Sequence, residues 1–199
     1  MNTPLVGTAG WSVDRSLERF DGEGTALERY ASVFRAVEIN SSFYRRHRPS
    51  TWQRWHDAVP DQFRFSVKLP KTITHERQLT DSAGELDLFF GDIEPRHISW
   101  AHEEAFRLLE QFSIGRVYAD PQKPELQFAP TPGRPCYLRL HGSPKIYYSP
   151  YSDESLAQYA RLLAAHPGSW CIFDNTASGA AIRDALKLLD LSLAGLGGH

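Results

Sequence analysis

Short runs in which apolar and polar positions alternate recur down this chain, separated by stretches with apolar residues at helical spacing. Val37-Glu38-Ile39-Asn40 is the clearest run, and period two sends Val37 and Ile39 to one face of a strand and Glu38 and Asn40 to the other. Phe63 to Leu69 repeats the pattern, as do Arg116 to Asp120 and Cys136 to His141. Leu5 to Ala9 reads as a first strand, and Trp170 to Asn175 and Ile93 to His97 as further strands or strand ends. Between them, helical periodicity predicts helices over Thr25–Arg35, Pro49–Val59, Ala101–Phe112, Asp153–Ala165 and Ser178–Leu189. Leu79–Phe90 holds room for one more helix, and the glycine-rich residues 193–199 read as a loose tail after a single domain spanning 1–192.

Strands alternating with helices and no internal linker imply βα units and a mostly parallel sheet. Strand ends fall near residues 8, 40, 68, 96, 120, 141 and 174, and polar groups mark nearly every one. A doubly wound sheet gathers its polar groups at one switch point, whereas a barrel collects them from all strands at one mouth. The expected fold is therefore α/β and TIM-barrel-like, with its polar layer built from Thr8, Glu38, Asn40, Ser66, Lys68, Glu94, Arg96, Tyr118, Asp120, Arg139, His141 and Asp174. Charges in such a layer must pair with one another or line a wet pocket, because an uncompensated buried charge costs many kcal/mol. An internal ion pair is the plain alternative for any one of them.

That layer supplies carboxylates, imidazoles and cations together, which is what acid–base chemistry on a small polar, anionic or sugar-like substrate requires. Glu38 or Glu94 is the expected base, His141 a proton shuttle, and Asp120 a further catalytic carboxylate. Lys68, Arg96 and Arg139 are expected to clamp an anion, Asn40 and Asn175 to orient the ligand, and Tyr44, His75, His97, Tyr151 and Asp174 to complete the binding set. Hydrolase, isomerase and lyase chemistry all remain open to such a set. No cofactor is expected, because Arg96 and Arg139 already supply neutralising charge; a divalent metal, were one bound, would draw on Glu94, Asp120 and His141. The chain has no P-loop, GxGxxG or GxSxG motif.

Composition narrows the partners. With 41% hydrophobic and 23% charged residues the 199-residue chain has material for one sizeable core. A net charge of −2 gives no global field for nucleic acid. The run Arg45-Arg46-His47-Arg48, with rim aromatics such as Trp11, Tyr147 and Tyr148, keeps a nucleic-acid binder or processor as the second reading. Cys136 and Cys171 sit in apolar runs and are expected to be free thiols. No apolar run is long enough for a membrane helix and no signal peptide is expected, so a cytoplasmic location is anticipated.

Gly7-Thr8-Ala9-Gly10-Trp11, Val37 through Tyr44, Phe63 through Lys68, Ile73-Thr74-His75, Glu94-Pro95-Arg96-His97, Leu138-Arg139-Leu140-His141-Gly142 and Phe173-Asp174-Asn175-Thr176 come in the order of the YecE-type family, which the chain resembles. The resemblance implies a TIM-like barrel with a polar cleft and no settled reaction. It also implies a shortened barrel of seven recognisable βα units. The fourth unit, expected between Ile73-Thr74-His75 and Glu94, is missing or degenerate. A barrel lacking one strand leaves an edge, which the 70–92 segment or a second subunit would cover. An inactive ligand-binding or assembly module is the third reading on this account.

Overall fold

The computed structural model describes residues 3–20, 22–45, 47–68, 116–123, 130 and 134–196. Among these residues six strands run in parallel: β1 (Leu5–Ala9), β2 (Ala36–Ile39), β3 (Arg64–Val67), β4 (Val117–Asp120), β5 (Tyr137–Leu140) and β6 (Trp170–Phe173). Among the described residues four α-helices accompany them: α1 (Ala26–Ala31), α2 (Pro49–Asp57), α3 (Asp153–Ala165) and α4 (Ala180–Leu196). The strand order is β3-β2-β1-β6-β5-β4. The first strand lies between the second and the last, and consecutive strands are neighbours except β3 and β4. That is the cyclic order of a barrel, and among the described residues it is unclosed only between β3 and β4. The expected missing unit, between Ile73-Thr74-His75 and Glu94, falls outside the described residues.

The chain forms two compact units, Gly7–Phe90 and Met1–Val6 with Gly91–His199. In the first, α1 begins on a capping box: Thr25 Oγ1 accepts from Glu28 N at 3.3 Å and Thr25 N donates to Glu28 Oε2 at 2.6 Å. This pulls the exposed Glu28 carboxyl below its ordinary range through the Thr25 backbone and hydroxyl bonds. The cap aims Leu27 and Tyr30 inward, where Tyr30 packs on Phe34 and Phe63. The Tyr30 hydroxyl accepts from Thr8 N at 2.8 Å and donates to Ala36 O at 2.9 Å, tying α1 to β1 and β2. Burial pushes that phenol well up, so it remains protonated and able to donate.

In the second unit, Leu138, Leu140, Cys171 and Phe173 are buried from β5 and β6, and Leu156, Leu163, Ala181, Ala185 and Leu188 from α3 and α4. Both cysteines are free thiols, as expected; Cys171 is buried and its thiol pushed up by that burial. Lys187 Nζ lies 2.7 Å from Asp153 Oδ1 between α4 and α3, an exposed pair of small energetic value.

Boundaries differ modestly from the sequence expectation, with one exception. α4 runs to Leu196, so 193–196 are helix and not tail. Ser192 to Leu196 contain no proline, and a single Gly195 costs a helix only about 1 kcal/mol, too little to end it.

Candidate functional site

The site is built where β5 and β6 end. Their register pairs Arg139 with Ile172 and Leu140 with Phe173, and Asp174 N donates to Leu140 O at 2.8 Å. One further step along both strands sets His141 beside Asp174. Partners in a parallel ladder point to the same face, so Arg139, His141 and Asp174 share one face and Leu138, Leu140 and Phe173 take the other.

On that face a single carboxylate oxygen serves two partners. Asp174 Oδ2 lies 2.9 Å from Arg139 Nη2 and 3.1 Å from His141 Nδ1, and all three residues are buried. With Nδ1–H donating to Asp174, the neutral imidazole carries its lone pair on Nε2. The guanidinium favours the ionised carboxylate, so Asp174 orients the ring without taking its proton. Arg139, expected in an anion clamp, is engaged by Asp174.

The next residue, Asn175, is fully buried. Its Nδ2 donates to Asp184 Oδ2 at 2.7 Å and to Ser149 O at 3.0 Å, which fixes the amide orientation. Its Oδ1 is buried and has no hydrogen-bond partner among the described residues. Asp184 Oδ2 also accepts from Tyr151 N at 3.1 Å. Burial raises the Asp184 carboxyl above its ordinary value, against the lowering pull of Asn175 and of the Tyr151 amide. A raised carboxyl means that the folded state holds the proton more tightly than the unfolded chain does. That stability is full below the unfolded value of about 4 and is lost as pH rises through the folded one. Asp184→Asn is therefore expected to flatten the pH dependence of stability above about pH 4. Asp184→Ala is expected to cost about 1–3 kcal/mol for each donor left bare, Asn175 Nδ2 and Tyr151 N. Urea denaturation across pH checks both.

The rim is a pinned loop. Gly142 adopts φ 96°, and a Cβ there would stand 2.7 Å from Ser149 O, so the turn after β5 needs glycine. Tyr147 has φ 70°, left-handed for a non-glycine residue, and its ring stands edge-on to His141 with centroids 5.7 Å apart. Tyr147 N donates to His141 O and Ala177 N donates to Tyr147 O, which hold the conformation.

Three sequence expectations are corrected. Asp120 pairs with Leu140 and Ala119 with Arg139, so Asp120 faces away from His141. It meets Tyr151 and Tyr159, whose phenols are pushed up chiefly by burial and then by Asp120. That register sets Asp120 on the face opposite His141. Thr8, paired with Val37, likewise faces the helix side, where its amide and hydroxyl meet Tyr30. Tyr151, expected to bind ligand, is buried; its hydroxyl accepts from Gly142 N at 2.9 Å and donates to Asp120 O at 3.1 Å.

In the other unit Glu38 is buried and pairs by register with Ser66, so the polar parity expected there is real. Lys68 Nζ lies 4.7 Å over the Phe43 ring, Asn40 opens the turn Ser41–Phe43, and Tyr44 is 75% exposed. His75, Glu94, Arg96 and His97 lie outside the described residues. Among the described residues no three His, Cys, Asp or Glu side chains come together as metal ligands. Asp184 escaped the sequence reading, although it sits on the apolar stripe of α4 with Ala181, Ala185 and Leu188, an unusual place for a carboxylate. The conformation of Tyr147 left no sequence signal.

Parallel strands in cyclic order with a buried polar cluster after β5 and β6 define a TIM-barrel-like α/β protein. The family model described as protein of unknown function DUF72 matches residues 5–95 and 92–195, and the chain belongs to that family. A stretch of 55 residues is 42% identical to the UPF0759 protein YecE of Escherichia coli K12, covering 28% of this chain. The match spans only 20% of that relative's length. A DUF72 family protein of Enterococcus faecalis V583 superposes with TM-score 0.70 at 18% identity, over 94% of each chain. One from Thermotoga maritima does so with TM-score 0.68 at 20% identity, over 94% of this chain and 98% of that one. No helix among the described residues is long and apolar enough to cross a membrane.

Proposed function

We propose that this protein performs acid–base chemistry on a small polar, anionic or sugar-like substrate, with His141 as the group that moves the proton. One observation carries the reading: Asp174 Oδ2 is shared between His141 Nδ1 and Arg139 Nη2. An imidazole held by a carboxylate has a fixed tautomer and a stabilised imidazolium, which suits it to take a proton at Nε2 and return it. The paired arginine supplies the charge that keeps the carboxylate ionised in a buried place. Hydrolysis, isomerisation and elimination each need a proton moved in this way.

A panel of sugars, sugar phosphates and hydroxy acids screened by thermal shift, followed by turnover assays on the hits, would test this. His141→Ala is expected to lower turnover by about 10²–10⁴-fold in a protein that still folds. Undiminished turnover in a folded His141→Ala protein would remove His141 from the chemistry.

A further inference from the structure

α2 departs from the usual economy of a helix in an α/β fold. None of its nine residues is buried, yet it carries Trp52 and Trp55. These rings gather with two others. Trp55 lies 5.2 Å from both Trp52 and Trp11 and 4.9 Å from His47, and His47 lies 5.5 Å from Trp52, all edge-to-face. Each of the four residues is part-exposed, so the cluster stands at the surface and not in the core.

His47 is held in place. Its Nε2 lies 2.9 Å from Ser41 Oγ, just past the end of β2. Burial first and the nearby Arg45 second push the imidazole below its ordinary value, which favours a neutral aromatic ring at physiological pH. Arg45 and Arg48 flank it, both exposed, and neither has an ion-pair partner among the described residues. The nearby acid on α2, Asp57, is occupied by Gln53 at 2.8 Å and His56 at 3.2 Å.

We propose that Trp11, Trp52, Trp55 and His47, with Arg45 and Arg48 beside them, form a binding surface for single-stranded nucleic acid. The chemistry fits term by term. Indole faces stack on bases irrespective of sequence, and each such contact is worth about 1–3 kcal/mol. Arginines without a protein carboxylate are suited to phosphates, singly or bidentately. An acidic peptide would use the arginines and leave the indoles without partners, and a duplex would hide the base faces the indoles need. The acidic whole chain confines the attraction to this patch. The inference uses none of the residues assigned to proton transfer, so either can fail alone.

The test is fluorescence anisotropy of a labelled oligothymidylate with the full chain over a range of salt. Binding is expected, weakening as salt rises, by about 0.7 in the log–log slope for each phosphate contacted. Arg45→Glu with Arg48→Glu, both at exposed positions, is expected to weaken binding more than tenfold and flatten the slope by about 1.4. Trp52→Ala is expected to weaken it about 5- to 100-fold at an unchanged slope, with Trp52→Phe restoring most of the loss. No binding at about 50 mM salt would overturn the proposal. So would binding that Trp52→Ala leaves intact in a folded protein, or equal binding of a duplex or a polyglutamate, since those mark a general anion surface.

Discussion

Asp174→Ala is expected to be the most damaging single change to the candidate site, costing about 3–5 kcal/mol of folding stability. Arg139 is 4% exposed and His141 2%, and both direct a nitrogen at the same Asp174 oxygen. Removing the carboxylate takes from the buried guanidinium the counter-charge held at 2.9 Å, and a guanidinium cannot shed its proton to compensate. Asp174→Asn keeps an acceptor of the same shape but not the charge, so it is expected to cost less, about 1–3 kcal/mol. Urea denaturation of the three proteins measures the ordering. A loss under about 1 kcal/mol for Asp174→Ala would mean that the pair is solvated, and the low-dielectric premise of the site would go with it.

Gly7→Ala is expected to rival it for a different reason. A Cβ on Gly7 would stand 2.1 Å from Ala36 O and 2.7 Å from its carbonyl carbon. Those atoms are backbone in the neighbouring strand, where Ala36 O also accepts from the Tyr30 hydroxyl. Neither partner has a side-chain rotamer to turn aside, so strands β1 and β2 must part. The expected cost is about 3 kcal/mol or more, at the upper end for overpacking. Gly10 provides the control: it has φ 87° but no atom of the described residues within 4 Å of an added Cβ. Gly10→Ala should therefore cost only the left-handed backbone term, about 1–2 kcal/mol. Denaturation midpoints for the two variants check the difference, and equal losses would contradict the close approach of the strands.

Much of the fold was legible because each strand is short, apolar and bounded by turn chemistry. Leu5–Ala9 and Asp153–Ala165 were found to the residue. The cyclic order also followed from the spread of polar strand ends, which a doubly wound sheet would not show. The candidate site was legible only where both neighbours of a strand could be read. Arg139, His141 and Asp174 come from adjacent strand ends and do converge, whereas Asn175 turns to Ser149 and Asp184. Asp120 was misplaced because alternation within Val117-Tyr118-Ala119-Asp120 tells which residues share a face and not which face is inward. Register decides that, and pairing of Ala119 with Arg139 turned the strand over from its expected sense. Thr8 was misplaced in the same way, its partner Val37 lying on the helix side. Long-range partners such as Asp184 for Asn175, or Tyr30 for Thr8, are set by how helices fold back and have no local signature.

The tautomer of His141 tests the central claim most directly. Nitrogen-15 correlation spectra of the imidazole, recorded for the native protein and for Asp174→Asn, distinguish a proton on Nδ1 from one on Nε2. The geometry predicts that neutral His141 carries its proton on Nδ1, held by Asp174 Oδ2 at 3.1 Å, and that this preference weakens in Asp174→Asn. A neutral ring with its proton on Nε2, or spectra that Asp174→Asn leaves unchanged, would contradict the assignment of His141 as the base.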